Sequence, residues 1–338
     1  LASTTIMDLV AYGGAGAGVA LSIVGLMQHR LNPASSLFLI LVAAEFFLPL
    51  RALGSAFHVA MNGASAGKKI LSLLNASDPV WGKKEVFGLE IKLENVTFSY
   101  NEKQDVLKNV TMVFKEKGMT AIVGESGCGK STVVHMLIGA YAPKKGAVRL
   151  GKDPIETVSR SSYYAQIACV SYNTYLFNDT VRANFELAKE NVCDEEIWTA
   201  LKAVNLADFI VDNGGLDKVI EEDANNLSGG QKQRLALAVN LVADKNIYIF
   251  DEATSNIDIE SEAIIMENIK AMSKVKSVIV ISHRLENVVD ADAIYYMEEG
   301  EVKERGTHLE LMEKKGGYYL LYTTQKTLEE GYKEEVRV

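Results

Sequence analysis

One glycine-rich segment constrains the fold of this chain more than any other stretch. It fits the pattern G-x-x-x-x-G-K-[ST] and consists of Gly124, Glu125, Ser126, Gly127, Cys128, Gly129, Lys130, Ser131 and Thr132. An apolar, strand-like run (residues 119–123) precedes it, and a helix-like run (residues 132–140) follows it. In that context the glycines let backbone N–H groups turn inward around an anion, and the helix N-terminus adds partial positive charge. The segment therefore predicts a loop that binds a nucleoside triphosphate, rather than an ordinary glycine-rich turn.

Side chains suited to metal binding and hydrolysis accompany this loop. Lys130 is placed to reach the β- and γ-phosphates, and Ser131 is placed to ligate Mg²⁺. The apolar residues 247–250 end in Asp251 and Glu252. Because a buried strand delivers its last residues to the carboxyl edge of an α/β sheet, we predict that Asp251 holds Mg²⁺ and that Glu252 orients or polarises the attacking water. The alternative is a pair of solvated carboxylates at a strand end.

The composition limits the function classes. The 338 residues suffice for about two domains, and they carry a net charge of −9 with a pI near 5.3. An acidic chain lacks the basic face that binds a phosphate backbone, so no nucleic-acid partner is expected. The three cysteines form no C-x-x-C pair, which indicates reduced thiols in a cytosolic compartment.

The N-terminal residues are apolar enough to enter a membrane. Residues 9–27 contain no charged side chain, which favours a membrane span over a buried helix of a soluble core. A second apolar run, residues 37–50, is interrupted only by Glu45. We predict a transmembrane helical hairpin with spans at about residues 7–28 and 33–74. Glu45 either faces a cavity or partner helix, or is solvated near the headgroups.

Strand-like and helix-like runs alternate through the rest of the chain. This alternation predicts an α/β domain with a mainly parallel sheet. The expected organisation is a membrane part at residues 1–76, a linker at 77–88, a nucleotide-binding domain at 89–326 and a charged tail at 327–338 that frays. Because two helices cannot enclose a path across a membrane, and the chain begins with Leu1 rather than Met, we expect further helices upstream or from other chains.

The most specific signal is the run Leu-Ser-Gly-Gly-Gln at residues 227–231. Its Ser228, Gly229, Gly230 and Gln231 predict a second phosphate-binding helix N-terminus. Together with the first loop, the Asp-Glu pair and the run Ser-His-Arg at residues 282–284, this run resembles the ATP-binding cassette (ABC) family. The resemblance covers about residues 89–322, including a segment similar to the family's D-loop at residues 255–258 and an aromatic residue, Tyr100, before the first loop.

The resemblance implies the roles of several residues. It implies an ATP hydrolase with a helical signature subdomain and with ATP and Mg²⁺ as ligands. Tyr100 would stack on adenine, and His283 would reach the γ-phosphate. Two cassettes would close head to tail, so that Ser228 to Gln231 serve the partner's nucleotide, and Asp258 of the D-loop would also bind nucleotide. Cys128 would be a small filler in the loop, and its alkylation would block nucleotide binding.

The membrane helices ahead of the cassette resemble exporter-type half-transporters. The resemblance implies ATP-driven export of a small-molecule or peptide cargo by a multi-pass protein of the plasma or inner membrane, with lipid around its helices and the ATPase domain in the cytoplasm. A second half-transporter would complete it, with a heterodimer favoured. Residues 44–58 are most similar to exporter subunits of cytochrome bd assembly, which would suggest a cysteine, glutathione or haem-related cargo.

One residue departs from the family pattern. The family places a glutamine that touches Mg²⁺ where this chain has Tyr172, and a phenol lacks the geometry of an amide. Gln166 lies too early to replace it, so we predict weaker Mg²⁺ positioning and slower hydrolysis. Two alternatives remain, a soluble ABC-type ATPase of DNA repair or chromosome organisation and a regulatory cassette with weak hydrolysis.

Overall fold

The computed structural model describes residues 2–75, 81–86, 90–101, 104–171 and 175–335. The chain divides into two compact units, Leu1–Asp78 and Pro79–Val338. Tyr172 and half of the predicted linker, residues 77–80 and 87–88, lie outside the described residues.

The N-terminal unit is a hairpin of two long helices, α1 (Ala2–Met27) and α2 (Pro33–Leu74). Asn32 begins α2 as an N-cap, because its side chain accepts a hydrogen bond from the Ser35 N–H at 2.7 Å. Proline at the next position suits the first turn of a helix, where its missing N–H leaves no bond unmade. The helical hairpin expected from the sequence is therefore present.

The two helices pack closely, but only one of them is apolar over a full span. A Cβ atom built on Gly18 would lie 2.8 Å from the Cβ of Ala43, so the small residue is needed for this approach. Among the residues described, Met7–Met27 is the one helical stretch long and apolar enough to cross a membrane, with a mean hydropathy of 1.8. The apolar part of α2, Pro33–Ala43, is shorter.

The C-terminal unit alternates strands and helices, as expected for the α/β class. Its strands are β1 (Ile91–Phe98), β2 (Leu107–Phe114), β3 (Gly118–Gly124), β4 (Lys145–Leu150), β5 (Asp153–Pro154), β6 (Ile167–Ser171), β7 (Ile247–Asp251), β8 (Ser277–Ile281), β9 (Ala293–Glu298) and β10 (Glu301–Gly306). Its helices are α3 (Lys130–Leu137), α4 (Arg160–Gln166), α5 (Val181–Ala188), α6 (Asp194–Ala203), α7 (Ala207–Asp212), α8 (Gly229–Val242), α9 (Ile259–Ser273), α10 (His308–Lys314) and α11 (Gly317–Glu335).

A six-stranded sheet forms the centre of this unit. Its order is β10-β9-β3-β8-β7-β6, and every neighbouring pair is parallel except β9 with β10. Alternate residues of the central strands pack into different clusters: Val278 and Val280 face one side of the sheet, and Ile279 and Ile281 face the other. Burial on both faces explains why these strands are continuously apolar in sequence.

Two features differ from the sequence-based expectations. A second sheet, β2-β1-β4-β5, is entirely antiparallel and packs its apolar residues into the same cluster as Ile279 and Ile281. The C-terminal tail was expected to fray from about residue 327, but α11 continues as a helix through Glu335.

Candidate nucleotide site

The glycine-rich loop lies where the sequence predicted it, between the end of β3 and the start of α3. Gly124, Gly127 and Gly129 have φ angles of +151°, +82° and +107°, a region that side chains with a Cβ rarely adopt. At Gly124 a Cβ atom would also lie 2.2 Å from the carbonyl oxygen of Met297 on β9. Glycine is therefore required there both for the backbone angle and for the close approach of β9.

The Lys130 side chain turns back into this loop. It is 6% exposed, and its Nζ donates hydrogen bonds to the carbonyl oxygens of Gly124 at 2.8 Å and Glu125 at 2.9 Å. The ammonium group is thereby held inside the concave side of the loop, where phosphate oxygens would lie. Ser131 follows in the first turn of α3, where its side chain is exposed.

Asp251 and Glu252 meet the loop at the carboxyl edge of the sheet. The register pairs Ile281 of β8 with Ile122 of β3 and with Asp251 of β7, so the three strand ends are adjacent. Asp251 has a buried Oδ1 atom without a hydrogen-bond partner in the described part of the chain. Burial raises the pKa of Asp251, and the neighbouring Glu252 raises it further. A buried carboxylate oxygen without a donor fits a cation site.

Glu252 and His283 are in direct contact. The Nε2 atom of His283 lies 2.6 Å from Oε1 of Glu252, and the two residues follow the neighbouring strands β7 and β8. Glu252 has a φ angle of +54°, and its N–H donates to the Ile281 carbonyl oxygen at 2.9 Å. A carboxylate and an imidazole therefore stand together beside the phosphate loop, a pair suited to accepting a proton from water and contacting a phosphate.

Tyr100 lies beside the first turns of α3. Its hydroxyl is 3.2 Å from Oγ1 of Thr132 and 2.9 Å from Nδ1 of His135, while about half of its side chain is exposed. Its ring packs edge-on against Tyr141, at 5.4 Å between centroids. His135 and Tyr141 were not singled out in the sequence; Tyr141 follows shortly after the helix that the motif opens, which is the signal that could have identified it. An exposed aromatic group here can stack on a base.

The run at residues 228–231 begins α8 through reciprocal hydrogen bonds. The Oγ atom of Ser228 accepts from the Gln231 N–H at 3.2 Å, and Oε1 of Gln231 accepts from the Ser228 N–H at 2.9 Å. This capping box fixes the helix N-terminus and directs its positive end outward. Asp258 has a similar role at the start of α9, where it accepts from the Ser261 N–H at 2.9 Å. Ser228 and Asp258, both predicted to bind nucleotide, thus also cap helices of their own chain.

Part of this chain matches a known protein family. Residues 107–255 match the family described as "ABC transporter", a range that includes the loop, the signature run and the Asp-Glu pair. This chain contains an ABC transporter domain. Such a domain implies ATP binding.

The ABC relatives include membrane exporters. An "Uncharacterized ABC transporter ATP-binding protein" of Haemophilus influenzae is 42% identical over 336 residues, 98% of this chain and 60% of that protein. The "ATP-dependent lipid A-core flippase" of Photorhabdus laumondii is 38% identical over 285 residues, 82% of this chain and 49% of that protein. A bacterial Atm1-family ABC exporter with ATP bound superimposes with a TM-score of 0.72 at 28% identity, over 95% of this chain and 58% of that structure. The chain therefore spans about half to three fifths of the length of these relatives.

Within the ABC domain, Gln166 lies far from the site. It precedes β6, and its Oε1 accepts a hydrogen bond from Nδ2 of Asn246, just before β7. Those strands run toward Ser171 and Asp251 at the other edge of the sheet. Gln166 therefore does not take the place of the family's glutamine. The weaker Mg²⁺ positioning expected from Tyr172 stays a prediction, because that residue lies outside the described ranges.

Cys128 faces the protein interior. Its side chain is 6% exposed and packs among the apolar residues below the loop, and burial raises the pKa of its thiol. This packing is consistent with a small filler residue. Alkylation would require the loop to open first, so the predicted block of nucleotide binding should develop slowly.

Glu262 is a buried acid of α9 that the sequence analysis did not identify. Its Oε1 accepts hydrogen bonds from Oγ1 of Thr254 and Nδ2 of Asn287, each at 2.8 Å, and its Oε2 pairs with Arg284. Thr254 follows the Asp-Glu pair, and Arg284 follows His283. Glu262 thus connects the two loops that carry Glu252 and His283, and its position in α9 gave no signal of this in sequence.

Proposed function

We propose that this chain carries the ATP-hydrolysing cassette of an ATP-driven membrane exporter. The observation that carries the proposal is the 2.6 Å contact between Glu252 and His283, at the edge of the sheet where the Lys130 loop and Asp251 also lie. The comparisons support it, because proteins named as a flippase and as an ABC exporter match both the cassette and part of the N-terminal unit. They do not favour a soluble ATPase of DNA repair or chromosome organisation.

In this proposal, four side chains have distinct roles in ATP binding and hydrolysis. Lys130 releases its loop carbonyl contacts and binds the β- and γ-phosphates of ATP. Glu252 accepts a proton from the attacking water, and His283 donates a hydrogen bond to the γ-phosphate. Tyr100 stacks on the adenine through its exposed face.

A divalent cation fits beside these residues. Asp251 offers a buried oxygen without a donor, and the exposed Ser131 hydroxyl lies on the first turn after Lys130. These two residues would hold Mg²⁺, which would neutralise charge on the β- and γ-phosphates.

The site needs a second cassette to be complete. Exporters of this family work as dimers of half-transporters, and in the proposal the α8 N-terminus (Ser228 to Gln231) faces the nucleotide bound by the partner, with Asp258 nearby. The Tyr172 substitution favours a heterodimer with two unequal sites. The helical hairpin belongs to a multi-pass domain in the plasma or inner membrane, with lipid around it and the cassette in the cytoplasm. The cargo is a small molecule or peptide.

The test measures ATP binding and hydrolysis separately in the full-length protein, reconstituted in lipid nanodiscs with its partner half-transporter. Glu252→Gln should keep ATP affinity and lower kcat about 100-fold, because it removes the proton acceptor but no phosphate contact. Lys130→Ala should lower the affinity itself. The exposed acid Glu260 of α9 provides the control, and Glu260→Gln should behave as wild type.

Two results would contradict the proposal. The first is an equal loss of ATP affinity in the Glu252 and Lys130 variants, because that would remove their division of roles. The second is a wild-type complex that binds ATP without hydrolysing it, which would instead support the regulatory cassette.

A further inference from the structure

A buried glutamine of the signature helix holds the segment that carries Glu252. Gln233 lies in the second turn of α8 and is 5% exposed. Its Nε2 donates a hydrogen bond to the Glu252 carbonyl oxygen at 3.1 Å, and its Oε1 accepts one from the Asn256 N–H at 3.1 Å. The Gln233 side chain thereby connects α8 to both ends of the segment 252–256 by hydrogen bonds.

The backbone of Glu252 depends on such contacts. A φ angle of +54° is unfavourable for a residue with a Cβ, and it persists only where neighbouring groups enforce it. The Ile281 carbonyl oxygen accepts a hydrogen bond from the Glu252 N–H, and the Gln233 amide donates one to the Glu252 carbonyl oxygen. With both backbone groups fixed, the carboxylate is directed to His283.

We propose that Gln233 is a positioning residue for ATP hydrolysis, which fixes the Glu252 carboxylate relative to helix α8 through the hydrogen bonds to Glu252 and Asn256. This inference rests on the proposed role of Glu252 in activating water. It also gives α8 two tasks within one chain: its N-terminus faces the partner's nucleotide, and Gln233 holds the chain's own catalytic carboxylate.

The main test is the Gln233→Met variant in the full-length complex in nanodiscs. Methionine has a similar volume and removes both hydrogen bonds, while the Lys130 loop stays unchanged. We expect kcat to fall about tenfold or more, because small displacements of a catalytic group have large effects on rate. KM and the Kd of a fluorescent ATP analogue should stay within about twofold of wild type.

Gln166 provides a matched control. It is 4% exposed and also holds a residue next to β7, but at the opposite end of that strand. Gln166→Met should therefore leave kcat within about twofold of wild type, at a comparable loss of apparent Tm.

A second variant tests the hydrogen bond itself. In Gln233→Glu, a protonated carboxyl can donate to the Glu252 carbonyl oxygen, whereas an ionised one repels it. Because burial raises the pKa of a carboxyl group, the ratio of variant to wild-type kcat should rise as the pH falls from about 8 to about 6.

The outcomes separate this inference from the proposed function. A wild-type complex without ATPase activity would overturn the proposed function. An active wild type with an unchanged kcat in Gln233→Met, or with kcat and ATP affinity lowered equally, would overturn the positioning role alone. If Gln233→Met fails to fold, the pH dependence of the Gln233→Glu ratio decides: a rising ratio supports the role, and a flat ratio refutes it.

Discussion

Replacing the buried carboxylate of Glu262 should weaken the cassette by an amount that its contacts allow us to estimate. The side chain is 4% exposed and accepts hydrogen bonds from Thr254 and Asn287 at 2.8 Å. Glu262→Ala leaves these donors without a partner, and each lost bond costs about 1 kcal/mol. The Arg284 pair adds less than a fully buried pair, because the Arg284 side chain is 47% exposed and screened by water.

The total is about 2–3 kcal/mol, which corresponds to a fall in Tm of roughly 4–12 °C for a domain of this size. Glu262→Gln keeps the acceptor oxygen for Thr254 and Asn287 but replaces Oε2 with an NH₂ group, which cannot accept from Arg284, so its fall should be the smaller of the two. The assay is differential scanning fluorimetry of the full-length protein, with the exposed Glu260→Ala on the same helix as the control.

Two melting results would contradict this estimate. If Glu262→Ala melts within about 1 °C of the Glu260→Ala control, the three contacts do not stabilise the cassette. A Glu262→Gln variant that melts as low as Glu262→Ala would show that the ion pair with Arg284 dominates, contrary to the estimate from its exposure.

Three further predictions concern the nucleotide site. Because burial raises the pKa of Asp251, the folded state favours the neutral carboxyl group and loses stability as the pH rises through this raised pKa. Asp251→Asn should therefore raise the apparent Tm at neutral pH, and this gain should disappear below about pH 3.9. The same variant should abolish Mg²⁺-dependent hydrolysis. Gly124→Ala should destabilise the cassette by at least about 2 kcal/mol through the clash with Met297, whereas Gly127→Ala, which meets no atom within 4 Å, should cost less in thermal melts. Tyr172→Gln should increase the ATPase rate, and an unchanged rate would remove any functional role for the tyrosine.

The parts of the fold that sequence predicted are those encoded by neighbouring residues. The loop after β3, the carboxylates after β7 and the start of α8 each follow from a local pattern, so their positions agree with the structure to within a few residues. The antiparallel sheet was not predicted, because β1 pairs with β4 across about 50 intervening residues and no local pattern specifies the partner. The helical tail was missed because a charged run at the end of the chain was interpreted as a frayed segment.

The site shows a similar division. Lys130, Asp251 and Glu252 were predicted because their residue types suit the chemistry, and His283 was predicted from the family resemblance. Gln233 was not, because a glutamine one position from a surface lysine looks solvated until the structure shows it buried.

Buried polar contacts connect the start of α8 to the segment that carries Glu252, two parts of the chain that the proposed dimer assigns to different nucleotides. Gln233 joins α8 to the loop after β7, and Arg234, the next residue, donates to the carbonyl oxygen of Asn205 at 2.8 Å and to Oγ of Ser261 on α9 at 2.9 Å. Because these bonds connect α8 to both α9 and the Glu252 segment, a shift of the α8 N-terminus must break one of them or move the Glu252 carboxylate. In the proposed dimer we therefore expect the N-terminus that faces the partner's nucleotide and the carboxylate that acts on the chain's own nucleotide to move together.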